Sequence, residues 1–229
     1  MNTRTMAGKQ LIAFTLYPGV TPLDLVGPLT VLRNLANGTR YRTVVVGSRI
    51  EPARTDTPLL MLPGMTYEEA PRPYAVFVPG GGAATVDAMT DEPLLAYLRS
   101  AAATAELIGA TGNGALILAA AGLLGGRRTA VHWAYADLLE AMGTRVSQDR
   151  WVHDGRLLTS AGGSAGIDMM LYLLAKIKGR ASAELAQLFL EYDPEPPFGV
   201  MDRSRIDGEL TALLRGAAGS PRAMDQERR

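Results

Sequence analysis

The chain has 229 residues, a length that suits one large domain, and no linker-like segment divides it. Its formal net charge is zero, so it lacks the basic field of a dedicated nucleic-acid-binding protein. It has no cysteine and only two histidines, which excludes a disulfide scaffold and a cysteine nucleophile and argues against a metal site. No apolar run reaches the roughly 18 residues of a membrane span, and no signal-peptide pattern opens the chain. We therefore expect a cytoplasmic protein that binds neither nucleic acid nor membrane.

Short apolar and β-branched runs alternate along the chain with segments of helical spacing. Strands are predicted over 10–17, 41–48, 59–62, 74–79 and 107–111, followed by a hairpin over 151–159. Helices are predicted over 22–35, 83–89, 92–104, 115–121, 132–142, 164–177 and 182–192. We expect a flexible N-terminus over 1–9, a single α/β domain over 10–200, and a tail over 201–229 with one weak helix and a frayed end.

Strands that alternate with helices predict a mostly parallel sheet covered by helices on both faces. In such folds ligands bind at the carboxyl ends of the strands. Three glycine-rich segments, 80–82, 112–114 and 162–166, each follow a predicted strand. The sequence therefore indicates these three strand ends as the places where a ligand is expected to bind.

The glycine-rich segments have more than one interpretation. The backbone N–H groups of 80–82 could bind an anion or oxyanion, or the segment could be only a tight turn. Gly112 suits a sharp turn because glycine tolerates positive φ. Ser164 lies in a G-x-S-x-G pattern, but both histidines precede it, whereas the serine-hydrolase elbow needs its histidine later. A helix-opening turn is the favoured interpretation for Ser164.

Three polar side chains stand out in apolar surroundings. A carboxylate at Asp24, between two leucines, is costly to bury unless it is paired or functional, although a position in the first turn of a helix would also favour it. His132, beside Trp133 at the start of a predicted helix, is either catalytic or, more commonly, a capping or core residue. For Asp168 we expect a structural role in binding neighbouring backbone N–H groups.

Six segments together resemble the PfpI-type superfamily, which is related to class I glutamine amidotransferases, and especially its isonitrile hydratases. The segments are LDLVGP (23–28), VPGGG (78–82), GNGALILAAAGLL (112–124), GRRTAVHW (126–133), GSAGID (163–168) and EYDPEPPF (191–198). They occur in the family's order and cover about 10–200. The sensor domains of AraC-type regulators share much of the pattern and carry a helix-turn-helix domain after it, for which we expect this chain to end too soon.

The resemblance implies a flavodoxin-like three-layer sandwich, a homodimer, and no metal or organic cofactor. It also implies a site made of an acidic residue, matched by Asp24, backbone donors, matched by Gly81 and Gly82, and a cysteine on a strained elbow. The elbow position falls on Gly112, and Asn113 stands where the hydratases usually have threonine. The covalent thioimidate route of that family is therefore impossible here.

We expect the missing thiol to leave free space above Gly112, and the Asn113 amide to add a donor and an acceptor. The favoured hypothesis is a cysteine-independent enzyme acting on a small molecule by hydration, dehydration, isomerisation or cyclisation. Asp24 would be its general acid or base, and Asn113 would stabilise negative charge together with the glycine donors. We expect the substrate site to include, besides Asp24 and Asn113, Gly81, Gly82, Gly112, His132 and Trp133. Two alternatives remain: a non-catalytic ligand-binding or regulatory protein, and isonitrile hydration with water activated directly by Asp24.

Overall fold

A computed structural model of the chain describes residues 9–35 and 37–199. The strands are β1 (Gln10–Thr15), β2 (Tyr41–Gly47), β3 (Ala53–Arg54), β4 (Leu60–Met61), β5 (Met65–Thr66), β6 (Ala75–Val78), β7 (Leu107–Thr111), β8 (Arg128–Ala130), β9 (Arg145–Ser147), β10 (Trp151–Asp154) and β11 (Leu157–Ser160). The α-helices are α1 (Pro22–Val31), α2 (Gly82–Ala88), α3 (Glu92–Ala102), α4 (Ala115–Ala120), α5 (Ala136–Ala141), α6 (Gly163–Lys178) and α7 (Arg180–Phe189). Two 3₁₀ turns cover Gly112–Gly114 and Trp133–Tyr135.

Seven strands form the main sheet in the order β10-β11-β7-β6-β1-β2-β5. Every neighbouring pair is parallel except the hairpin of β10 and β11. Helices α1, α6 and α7 pack together, as do α2, α3 and α4, so that helices flank the sheet. The predicted three-layer α/β fold with a mostly parallel sheet is confirmed.

The central strands are buried because both faces of the sheet are covered. All four residues of β6 are buried, and the rings of Phe14 and Phe77 stack across β1 and β6 with their centroids 5.2 Å apart. Parallel register places Phe14 opposite Phe77 and Phe77 opposite Gly109. This apolar centre holds the carboxyl ends of β1, β6 and β7 side by side.

Several predicted boundaries differ from the structure. The helix predicted over 22–35 ends at Val31 and continues as turns, and the helix predicted over 132–142 divides into a 3₁₀ turn and α5. The strands β3, β5, β8 and β9 have only two or three residues each, too few to show a period in the sequence. Predictions for 1–8 and for 200–229 lie outside the described residues. No helix within the described ranges has the length and hydropathy needed to cross a membrane.

Candidate active site

The carboxyl edge of the sheet brings together the segments that the sequence indicated. The end of β6 leads through Gly80 into α2, the end of β7 leads into the 3₁₀ turn at Gly112, and α6 begins at Gly163 after β11. Helix α1 carries Asp24 into the centre of these three segments. The three glycine-rich strand ends therefore lie together around one carboxyl group.

Three glycines surround the Asp24 carboxyl group. A Cβ atom added at Gly80, Gly112 or Gly163 would stand less than 3.0 Å from a carboxyl oxygen of Asp24, nearer than real Cβ atoms come. Gly112 also has a φ of +56°, in the left-handed region that favours glycine. Glycine at these three positions therefore allows the carboxyl group to be enclosed by backbone.

Asp24 is buried, with 8% of its surface exposed. The N–H group of Gly80 donates a hydrogen bond to its Oδ2 at 3.1 Å, and the Thr111 hydroxyl donates to its main-chain carbonyl at 2.9 Å. Burial raises the pKa of Asp24 to about 6, more than the hydrogen bond from Gly80 lowers it, and the nearby Asp56 adds to the rise. Both protonation states of the carboxyl group are therefore accessible near neutral pH.

The Asn113 side chain joins the 3₁₀ turn to the glycine-rich segment after β6. Its Oδ1 accepts hydrogen bonds from the Gly81 N–H group and the Thr85 hydroxyl, both at 3.1 Å, and its Nδ2 donates to the Gly82 carbonyl at 2.8 Å. The N–H group of Gly81, predicted as a donor for negative charge, is thus engaged by the protein itself. In this geometry Asn113 holds the segment in place.

The expectation of free space directly above Gly112 is wrong. A Cβ atom on residue 112 would stand 2.3 Å from Oδ2 of Asp24, too close for both atoms to keep these positions. The hydrogen bond from Gly80 to the same oxygen holds the carboxyl group there. The carboxyl group of Asp24 therefore lies directly against the elbow and leaves no room there for the first carbon of a side chain at position 112.

A cavity of about 520 Å³ opens beside this carboxyl group. Of the predicted site residues, those that line it are Asp24, Gly82, Gly112, Asn113, His132 and Trp133, whereas Gly81 does not. Tyr135 also lines the cavity and was missed by the sequence analysis. The sequence could have indicated Tyr135, because it lies three residues after His132 and therefore on the same face of the helix predicted there.

The remaining candidates have mainly structural contacts. His132 accepts a hydrogen bond from the Ala134 N–H group at its Nδ1 (3.3 Å), which caps the 3₁₀ turn. Ser164 lies in the first turn of α6, as the helix-opening interpretation predicts. The contacts of Asp168 are structural, as predicted, but the predicted partners are wrong: its carboxylate accepts hydrogen bonds from the side chains of Arg150 (2.6 and 2.9 Å) and Tyr192 (2.8 Å) instead of neighbouring backbone. The described residues contain no cluster of three or more acidic and histidine side chains able to hold a metal ion.

Comparison with known proteins identifies the family. The model of the DJ-1/PfpI family matches residues 10–176. The chain belongs to the DJ-1/PfpI family. It is 42% identical over 187 residues to an isonitrile hydratase from Pseudomonas putida, covering 82% of this chain and 80% of that protein. The predicted resemblance is thereby confirmed.

Further relatives of the chain occur in different contexts. A THiJ/PfpI family protein from Pseudomonas syringae superposes with a TM-score of 0.81 at 31% identity, over 96% of both chains. The HTH-type transcriptional regulator CdhR from Pseudomonas aeruginosa is 31% identical over 72% of this chain. The chain spans about half the length of that regulator. The family thus includes both an enzyme and regulators among the relatives of this chain.

Proposed function

We propose that the chain is a small-molecule enzyme that works without a cysteine, with Asp24 as the general acid or base of a hydration, dehydration, isomerisation or cyclisation. The observation that carries the proposal is the position of the Asp24 carboxyl group, whose Oδ2 lies 2.3 Å from the place that a Cβ atom on Gly112 would take. The acid thereby stands at the elbow itself and borders the cavity. The similarity to an isonitrile hydratase supports a hydratase-like reaction.

The environment of Asp24 suits proton transfer. An acid catalyst works best when its pKa lies near the working pH, and burial raises the pKa of Asp24 to about 6. The hydrogen bond from Gly80 and the three surrounding glycines fix the position of the carboxyl group. A positioned acid with an accessible proton is what these four reaction classes share.

Three hydroxyl groups near the elbow, those of Thr85, Thr111 and Ser164, are poorly placed to replace the missing thiol, whereas the Thr21 hydroxyl, at the cavity wall, donates to the Asp56 carboxylate. Thr111 donates to the Asp24 main-chain carbonyl, and Thr85 is within hydrogen-bond distance of the Tyr17 hydroxyl and Asn113. Ser164 is exposed in the first turn of α6. A nucleophilic hydroxyl needs an adjacent base, and the hydrogen bonds described at these three groups supply none. These contacts favour acid–base over covalent chemistry.

A non-catalytic ligand-binding or regulatory role is the second candidate. It is favoured by the engagement of the Gly80 and Gly81 N–H groups by Asp24 and Asn113, since those donors are then occupied when negative charge develops. The similarity to transcriptional regulators supports the same role. A third candidate, isonitrile hydration with water activated by Asp24, rests on the similarity to the hydratase and on the same carboxyl group.

The test compares the whole protein with its Asp24→Asn and Asp87→Asn variants. Each is incubated with a small-molecule extract and, separately, with p-nitrophenyl isonitrile, and the mixtures are analysed by mass spectrometry. We expect a substrate to be converted by the unaltered protein and by Asp87→Asn, whose carboxylate is exposed on α2, and conversion by Asp24→Asn to fall by about 10²-fold or more.

The outcomes separate the three candidates. Equal conversion by Asp24→Asn would contradict the acid–base role. A molecule retained unchanged by the unaltered protein would favour the binding role, and formation of the formamide from the isonitrile would favour the third candidate. We further propose a homodimer in the cytoplasm, as the family resemblance implies, and light scattering on the purified protein tests the dimer.

A further inference from the structure

The hydroxyl group of Tyr135 has no hydrogen-bond partner. Tyr135 is 9% exposed, and its hydroxyl is the only buried side-chain nitrogen or oxygen without a partner within 9–35 and 37–199. Buried polar groups are nearly always hydrogen-bonded, so an unpartnered one in a cavity wall indicates a missing partner. Because the ring lines the cavity that contains Asp24, that partner can come from a bound molecule.

The neighbouring amide does not serve as this partner. The Asn113 amide interacts with the Tyr135 hydroxyl closely enough to lower its pKa, but the two groups do not reach the geometry of a hydrogen bond. Its Oδ1 already accepts two hydrogen bonds, from Gly81 and Thr85. Burial raises the pKa of Tyr135 overall, so the hydroxyl keeps its proton at neutral pH and is a donor.

The charge of the cavity wall restricts what can bind. Within the described part of the chain, no lysine or arginine lines the cavity. The acidic side chains of Asp24 and Asp56 lie near each other, and Asp56 accepts a hydrogen bond from Thr21 at the cavity wall. Leu23 and Trp133 contribute apolar surface. The wall therefore disfavours anions and favours neutral, apolar molecules.

We propose that Tyr135 is a substrate-binding residue and that the cavity takes a neutral, largely apolar carbonyl compound whose oxygen accepts a hydrogen bond from the Tyr135 hydroxyl. This inference rests on the proposed function, because it names the substrate class of the same site. A hydrogen bond to a carbonyl oxygen makes the carbonyl carbon more electrophilic and the adjacent C–H bonds more acidic. Both effects assist the reactions proposed for Asp24.

The test measures binding to the whole protein by ligand-observed NMR titration with three probes of similar size: acetophenone, ethylbenzene and benzoate. We expect acetophenone to bind more tightly than either of the others. Tyr135→Phe is expected to weaken acetophenone binding by about 5- to 10-fold, the effect of one neutral hydrogen bond, and to change ethylbenzene binding less than about 2-fold. Tyr172→Phe, which removes a hydroxyl bonded to His153 away from the cavity, is expected to change neither.

Thermal unfolding of the variants provides a second readout. Because the Tyr135 hydroxyl has no partner within the described residues, Tyr135→Phe is expected to melt at or above the temperature of the unaltered protein. A clear loss of stability would show a structural hydrogen bond and overturn the inference. Tighter binding of benzoate, no binding of acetophenone, or equal loss of acetophenone and ethylbenzene binding would overturn it as well.

The binding result is independent of the catalytic proposal. Titration by NMR requires no turnover, so a pure binding protein would satisfy this inference and fail the comparison of Asp24→Asn with Asp87→Asn. An enzyme that acts on anionic substrates would pass the comparison of Asp24→Asn with Asp87→Asn but would fail to bind acetophenone more tightly than benzoate. The two proposals therefore fail in different experiments.

Discussion

At the scale of single residues, Gly112 and Asp24 depend on each other. Gly112 keeps a left-handed backbone, and the Asp24 carboxyl group occupies the space beside its Cα that a side chain would need. Gly82 provides a matched comparison, because its φ of +52° is similar and an added Cβ would meet nothing within 4 Å. Comparing alanine variants of the two glycines therefore distinguishes the cost of positive φ from the cost of displacing the Asp24 carboxyl group.

We expect Gly112→Ala to lower the free energy of unfolding by about 1–3 kcal/mol more than Gly82→Ala does. Both variants carry a similar strain from positive φ, but only the methyl group at 112 forces Asp24 to move. Urea unfolding of both variants measures the difference. Adding Asp24→Ala to Gly112→Ala should remove most of the excess, and equal costs for the two single variants would contradict the arrangement.

The sequence identified Asp24, Gly112 and Asn113 as site residues, but not how they fit together. The place of a short carboxylate depends on Gly80, Gly112 and Gly163. These glycines come from three segments distant in sequence, so no local pattern shows that the acid fills the elbow. The engagement of Asn113 by Gly81 and Thr85 is likewise a product of tertiary packing.

At the scale of elements, β7 fits between its neighbours because of Gly109. A Cβ atom there would meet both the Phe77 ring of β6 and the Leu158 carbonyl of β11 at less than 3.0 Å. Since β7 leads directly into the 3₁₀ turn at Gly112, a shift of this strand would also move the candidate site. The close packing of β6, β7 and β11 at Gly109 therefore helps to fix the position of the turn at Gly112.

We expect Gly109→Ala to lower the free energy of unfolding by about 2–4 kcal/mol, because the backbone of β11 cannot move aside as a flexible side chain would. Gly64→Ala is the matched control, since an added Cβ there would meet one atom at 3.9 Å, an ordinary contact. Denaturant unfolding of both variants is the measurement. A similar small effect for both would mean that the sheet adapts at Gly109 without cost.

Long elements were predicted well and short ones poorly. The run Thr43-Val44-Val45-Val46 falls within β2, whose β-branched residues favour a strand. The helix predicted over 132–142 does not form as one piece, because His132 caps a 3₁₀ turn through its side chain. Strands such as β8 and β9, with three residues each, depend on pairing with each other and carry no detectable period.

At the scale of the whole molecule, the alternation of strands and helices was sufficient to predict a parallel sheet but not its strand order. The central position of β1 and β6 and the edge position of β5 follow from long-range pairing. The family resemblance supplied the flavodoxin-like arrangement, which the comparison with the Pseudomonas syringae protein supports. The folded molecule as a whole buries the Asp24 carboxyl group, and this burial has a measurable effect on the free energy of unfolding.

The burial of Asp24 makes the stability of the molecule depend on pH. Its pKa is higher in the folded protein, about 6, than its ordinary value of 3.8, so the folded state binds this proton more tightly. The contribution to stability is therefore largest below about pH 4, is lost as the pH rises towards 6, and stays lost above that. The full loss corresponds to about 3 kcal/mol.

We expect Asp24→Asn to lack this loss. Between pH 4 and pH 7 its free energy of unfolding, relative to that of the unaltered protein, should rise by up to about 3 kcal/mol, since all other titrating groups are common to both proteins. Urea unfolding across this range is the measurement, with the exposed Asp87→Asn as control. A difference that stays constant with pH would show that Asp24 is as easily ionised in the folded protein as in water, and an acid of that kind would be a poor proton donor at neutral pH.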